Sequence, residues 1–282
     1  MNARRARTTM VLACFALVAG ACGGTQPSSN PTSPSPQPVA SSPPPVSSPP
    51  PVPSPSAEAV ANPAPILKGH TYRPDLPPPE DFVAVIDNPY MPFMPGTTTV
   101  FEGVSDGERE RNVVSVTDRT KVILGVTTTV VHDQVFSANG DLAEDTFDWY
   151  AQDRFGNVWY FGEDTAEYAN GKVSSTKGSW EAGVGGAQPG VVMLAQPTVG
   201  ESYHQEFLRG EAEDVGTVVA IDDRVSVPYG SFDHVLVTED MTPLEPQILE
   251  HKFYAQGIGV VLERVLRGGQ EVSRLVSYTP PS

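Results

Sequence analysis

The sequence predicts an all-β fold, an antiparallel half-barrel or sandwich of roughly ten strands, preceded by a signal peptide and a disordered Pro/Ser-rich linker. Three observations carry this. Beyond residue 66, short runs rich in Val, Thr and aromatic residues recur between Gly, Pro, Asn and Asp turns. Almost nothing there sustains the 3.6-residue period of an amphipathic helix. Before residue 66 the composition changes abruptly, first to an apolar leader and then to a proline-rich tract.

The leader comes first. Residues 1–7 carry Arg4, Arg5 and Arg7 and no acid, and residues 8–18 form an apolar run too short to span a bilayer comfortably. The small residues Ala19-Gly20-Ala21 then precede Cys22, as a signal peptidase needs. With Cys22 at the +1 position, residues 1–24 resemble a bacterial lipoprotein (type II) signal peptide. The resemblance implies removal of residues 1–21 and acylation of Cys22, with palmitate-type chains that tether the protein to a membrane. The expected location is the cell membrane or envelope, lipid-anchored and outside the cytoplasm.

Residues 22–65 read as the lipidated terminus and its tether. From residue 27 to 65 there are 15 of the chain's 29 prolines and a single charge, Glu58. Proline lacks the backbone donor that helices and sheets need, and the tract has too little apolar surface to collapse. A polyproline-II spacer is expected, on the order of 100 Å if fully extended. Residues 66–282 then form one domain.

Charge and cysteine content exclude several classes. The chain has a net charge of −16, and loss of the three leader arginines leaves −19. Nucleic acid is a poor partner for such a surface. Anionic headgroups would repel it too, so attachment to a membrane falls to the acyl chains. Cys14 leaves with the leader and Cys22 is the anchor, so the domain has no thiol for disulfides, catalysis or zinc.

In chain order, residues 82–86 lead into a turn at Asp87-Asn88-Pro89-Tyr90, and 97–102 read as a strand. Residues 111–116 alternate, and 121–124 with 126–136 form a hairpin about Gly125. Asn139-Gly140 is a hairpin turn. Residues 144–164 hold two aromatic-rich arms about Asp153-Arg154-Phe155-Gly156-Asn157. Alternation places Thr146, Asp148, Tyr150 and Gln152 on one face, and Phe147, Trp149 and Ala151 on the other. On the return arm Trp159 and Phe161 share a face opposite Val158 and Tyr160. Residues 178–200, with six glycines and two prolines, read as an irregular flap anchored by Trp180, with 191–194 dipping into the core. A long arm over 203–221 breaks at Gly210. Residues 224–227 and 232–238 follow, then a hairpin of 249–255 with 259–266, and a last strand over 271–278.

The phrases Val227-Pro228-Tyr229-Gly230-Ser231-Phe232 and His251-Lys252-Phe253-Tyr254-Ala255-Gln256-Gly257-Ile258-Gly259 resemble a pattern of the broad LolA/LppX-like group of exported bacterial β-proteins. Tyr90-Met91-Pro92-Phe93-Met94-Pro95-Gly96-Thr97, followed by Phe101-Glu102-Gly103, is similar to their opening motif. The resemblance spans about 35 residues of turn glycines and aromatics. It implies an open half-barrel with a greasy concave face that carries or binds lipid.

No GxSxG elbow, HExxH motif or phosphate loop is present. The favoured expectation is therefore binding of an apolar or amphipathic ligand, with Tyr150, Trp159 and Trp180 lining the pocket. The alternatives are an extracytoplasmic hydrolase or isomerase using Asp148 with His204 or His251, and a structural cell-envelope interaction module. For a divalent ion, with calcium foremost, the candidate ligands are Asp153, Asn157, Glu163 and Asp164 at the central hairpin. His204, Glu206 and His251, if they converge with Asp148, are a second set. No cofactor is expected beyond such an ion. Oligomeric state is not legible.

Overall fold

A computed structural model describes residues 75–105 and 107–281. The expected signal peptide, the tether and the acylated Cys22 lie outside the described residues.

One 3-10 turn, Pro79–Asp81, precedes the strands, and no other helix occurs among the described residues. In order they are β1 (Phe82–Val83), β2 (Thr98–Ser105), β3 (Glu108–Ile123), β4 (Val126–Ser137), β5 (Leu142–Asp153) and β6 (Val158–Ala169). Five shorter strands follow: β7 (Lys172–Ser175), β8 (Trp180–Glu181), β9 (Gln188–Met193), β10 (Ser202–His204) and β11 (Glu206–Phe207). The C-terminal third supplies β12 (Val215–Val227), β13 (Gly230–Met241), β14 (Leu249–Ala255), β15 (Gly259–Arg267) and β16 (Val272–Thr279).

The sheet runs β10-β12-β13-β14-β15-β16-β2-β3-β4-β5-β6-β9-β11, with β1 added on β5 and both β7 and β8 on β6. Its two ends are consecutive pieces of one segment. Ser202, Tyr203 and His204 pair with β12, and one residue later Glu206 and Phe207 pair with β9. The expected antiparallel half-barrel or sandwich takes the form of a nearly closed, barrel-like sheet whose two ends meet at Gln205. This meeting covers the sheet edges over residues 202–207.

Local chemistry explains the elements. Leu124 (φ 50°) and Gly125 (φ 83°) form the positive-φ pair of a tight turn whose twist matches the flanking β3 and β4. The β5–β6 turn is held by Asp153, whose Oδ1 accepts the Phe155 and Asn157 amides at 2.9 and 3.0 Å. Residues 224–227, expected as a separate strand, continue β12, which bends through register shifts between Val218 and Val225 instead of breaking. The expected flap also differs. It contributes β8 and β9, and Val191, Val192 and Met193 are buried, as the dip into the core anticipated. Gly162 permits this: a Cβ there would overlap the Trp180 carbonyl, and φ is +123°.

Aromatic residues fill one end of the barrel. Tyr150 stacks on Tyr160 and tilts against Phe93, each at 4.8 Å between ring centroids, and Trp180 meets Tyr160 edge-on at 5.3 Å. On the other face of the same hairpin, Phe82 packs edge-on against Trp159 and Phe161. This is the division of faces that the sequence alternation predicts for 144–161.

Candidate functional site

The barrel interior is acidic. On β5, Glu144, Thr146, Asp148, Tyr150 and Gln152 take alternate positions and all are buried, whereas the intervening Asp145 and Phe147 are half-buried. Cross-strand partners continue the inner face, with Asp133 and Thr165 beside Thr146 and Glu163 beside Asp148. The far wall brings Asp240 on β13, Glu250 and Lys252 on β14, and Glu263 on β15, while Glu206 and Asp214 flank the closure. Apart from Asp153 at the β5–β6 turn, nine carboxyl groups (Asp133, Glu144, Asp148, Glu163, Glu206, Asp214, Asp240, Glu250 and Glu263) are buried with one ammonium, Lys252, among the described residues. They act on one another across the lumen. Asp133 of β4 raises the pKa of Glu263 on β15, and Asp148 of β5 raises that of Glu206 on β11.

So many buried carboxyls cannot all ionise, because burial without a partner disfavours the charged form. Burial, then the charge of Asp133, pushes Asp148 up to about 8, against the hydrogen bonds of Tyr160 and Tyr150. The Tyr160 hydroxyl donates to Asp148 Oδ1 at 2.8 Å. Burial lifts Asp214 and Glu250 each to about 7, with Lys252 opposing in both cases. Glu163, Glu206 and Glu263 are held well above the ordinary carboxyl range, chiefly by burial. Burial alone would lower Lys252, but Asp240, Glu263 and Glu250 raise it well above its usual value. Its Nζ lies 3.3 Å from Asp240 Oδ2. Neither carboxyl oxygen of Glu263 has a hydrogen-bond partner among the described residues, nor does the hydroxyl of Ser273 directly across the ladder.

An apolar cleft of about 30 Å³ adjoins this lumen. Met91, Pro92 and Phe93 form its lid, Phe101, Val114 and Val116 its floor, and Ile258 and Val260 a flank. Phe101 is the ladder partner of Asn112, and Val114 that of Asp133, so the floor runs into the acidic face. Asn112 Nδ2 donates to Asp133 Oδ1 at 2.5 Å. The lid hangs from Asn88. Its amide donates to Gln152 Oε1 (2.8 Å), and its Nδ2 donates to the carbonyls of Gly156 (2.9 Å) and Leu194 (3.1 Å). Its Oδ1 accepts the Tyr90 amide at 2.9 Å.

The residues singled out from sequence fall as follows. Asp148, Glu163 and Glu206 share the lumen. His204 sits at the closure and meets Phe207 edge-on at 5.6 Å. His251 stands on β14 next to the inward Lys252, so alternation turns it to the other face, where its Nε2 is 3.5 Å from Glu239 Oε2. Asp153 serves the turn and also accepts Asn157 Nδ2 and the Trp159 indole at 2.9 and 2.8 Å. Asn157 Oδ1 accepts the Ala195 amide at 2.9 Å. Asp164 is exposed. Among the described residues no three His, Cys, Asp or Glu side chains stand at metal-binding spacing. Tyr150, Trp159 and Trp180 are buried packing residues, and Tyr150 touches the cleft through Phe93. Sequence reasoning missed Asp133, Glu144, Asp214, Asp240, Glu250, Lys252 and Glu263. No clean polar–apolar alternation marked them, since each has at least one polar neighbour in sequence, as in Glu250-His251-Lys252-Phe253.

No family model and no curated protein matches the chain. Two solved structures align with it. A protein from Bacteroides fragilis, described as exported and of YmcC-like fold, aligns at 13% identity and a TM-score of 0.37, covering 70% of this chain and 100% of its own. A protein from Parabacteroides distasonis, described as a lipoprotein, aligns at 10% identity and a TM-score of 0.38, covering 68% of this chain and 99% of its own.

Proposed function

We propose that the chain is an exported protein, anchored through acylated Cys22, whose barrel binds an amphipathic ligand bearing a positive charge. The observation that carries this reading is the lumen's surplus of carboxyls over its single ammonium, with Glu263 and Ser273 lacking hydrogen-bond partners among the described residues. A cationic head group would satisfy those oxygens and neutralise carboxylates that otherwise hold protons. The adjoining cleft supplies an apolar wall for the tail. At about 30 Å³ it holds no more than a water or a methyl group. Binding therefore requires the 91–93 lid to lift, toward the several hundred Å³ of a ligand pocket. The carboxyl-rich lumen turns the reading away from a neutral lipid.

Calorimetry with dodecyltrimethylammonium and dodecyl sulfate, both below their micelle concentrations, tests it. The cation is expected to bind in the micromolar range, about −8 kcal/mol, and the anion not at all. Glu263→Gln should weaken the cation roughly tenfold, as loss of one charge-assisted contact does. Equal binding of both amphiphiles, or preference for the sulfate, would overturn the reading.

A further inference from the structure

The barrel closes through a very short segment. Glu206 and Phe207 give two ladder partners on β9, and residues 202–204 give three on β12, whereas β2 and β3 share eight. Pro189 is the partner of Glu206 and has no N–H to donate. Between the two halves, Gln205 is the latch. Its amide donates to the Asp214 carbonyl at 2.8 Å, and its Nε2 donates to Asp240 Oδ2 at 3.1 Å. Gly190 lets β9 lie against this latch, since a Cβ there would overlap the Gln205 carbonyl.

The same place gathers buried acids from every neighbouring element. Glu206 (1% exposed) interacts electrostatically with Asp214 before β12, Glu163 on β6 and Asp148 on β5, which disfavour its charge, and with the Trp180 indole of β8 and Lys252 of β14, which favour it. Tyr160 on β6 also faces Glu206 and Glu163. Asp214 in turn interacts electrostatically with Asp240, Glu250 and Lys252, and Tyr203 on β10 with Tyr254, Asp240, Glu201 and Lys252. Like charges buried together in a low-dielectric interior repel. One of the shortest ladders of the sheet therefore lies beside a set of buried acids.

We propose that residues 202–207 are a gate, shut while the acids beside it hold protons and opened by their mutual repulsion when they lose them. The moving part is the pair of short strands β10 and β11, and the opening exposes the lumen between β9 and β12. The gate is a property of the barrel itself and holds whatever the lumen admits.

Hydrogen exchange read by mass spectrometry tests this, using protection factors so that the intrinsic pH dependence cancels. From pH 5.5 to 8.5, protection over 186–193 and 200–217 should fall at least about tenfold further than over 108–137, whose protection follows global stability. Glu206→Gln should reduce that fall. Independently, Gln188→Cys with Phe207→Cys places two cysteines at ladder partners in a domain that has no other thiol. The oxidised pair should abolish the fall, and reduction should restore it. Equal protection at both pH values, a loss spread evenly over all strands, or an unchanged loss in the locked barrel would each overturn the gate.

Discussion

Lys252 and Asp240 face each other at 3.3 Å with side chains 2% and 0% exposed, forming an ion pair inside an acidic barrel. Lys252 offsets charge on Asp240, Glu250 and Glu263 together. Replacing it by Met keeps the volume and strands those carboxyls. The expected cost in urea unfolding at pH 7 is about 3–5 kcal/mol, typical of a buried pair broken on one side. The cost should shrink at pH 5, where Glu250 and its neighbours take up protons.

Stability should fall as pH rises through neutrality. Asp148, raised to about 8, and Asp214 and Glu250, each raised to about 7, hold protons in the folded state that the unfolded chain has released. A raised carboxyl pKa contributes stability that is complete below the ordinary carboxyl range and is lost up to the folded value. The expected optimum is therefore mildly acidic. Each kcal/mol moves the Tm of a domain this size by about 2–4 °C, so a drop of several degrees is expected between pH 5.5 and 8.5. Asp148→Asn should flatten the slope.

Asn88 ties the cleft lid to Gln152 and Gly156 of the β5–β6 hairpin and to Leu194 after β9, and also accepts the Tyr90 amide. The side chain makes three of these, and its loss leaves the Gly156 and Leu194 carbonyls and the Tyr90 amide to find other partners. Asn88→Ala should lower stability by about 2–4 kcal/mol, with the urea m-value unchanged. It should also raise uptake of an apolar dye by the cleft.

Much of the fold was legible because the long strands alternate cleanly and their turns carry Asn-Gly, Asp-Gly or glycine pairs. The five shortest strands were not. Two to four residues leave no period, and the pairing of 188–193 depends on close approach at Gly190 and Gly162, which sequence does not display. The lumen was hidden for a related reason. Between Asp148 and Tyr150 the β5–β6 ladder skips a residue, so Tyr160 and Glu163 both turn inward although simple alternation puts them on opposite faces. Acids such as Glu263 and Asp240 resemble solvent-facing strand residues until closure of the barrel surrounds them.

The anchor is open to a direct check. Cys22→Ser should block maturation, leaving an unprocessed precursor or a protein shed from the membrane fraction, with radiolabelled palmitate incorporation lost. A mature, equally membrane-bound mutant would contradict the anchor while leaving the barrel's chemistry untouched.

The carboxyl carbons of Asp and Glu, isotopically labelled and followed by NMR from pH 3 to 9, test the acidic lumen most directly. The structure predicts a group of interior resonances, with Asp148, Asp214 and Glu250 among them, that stay protonated past pH 6 and titrate near 7 to 8. If every carboxyl carbon of the folded protein instead titrates below about pH 5, in the ordinary range, the carboxyls are not enclosed as described, and both the cationic ligand and the gate lose their foundation.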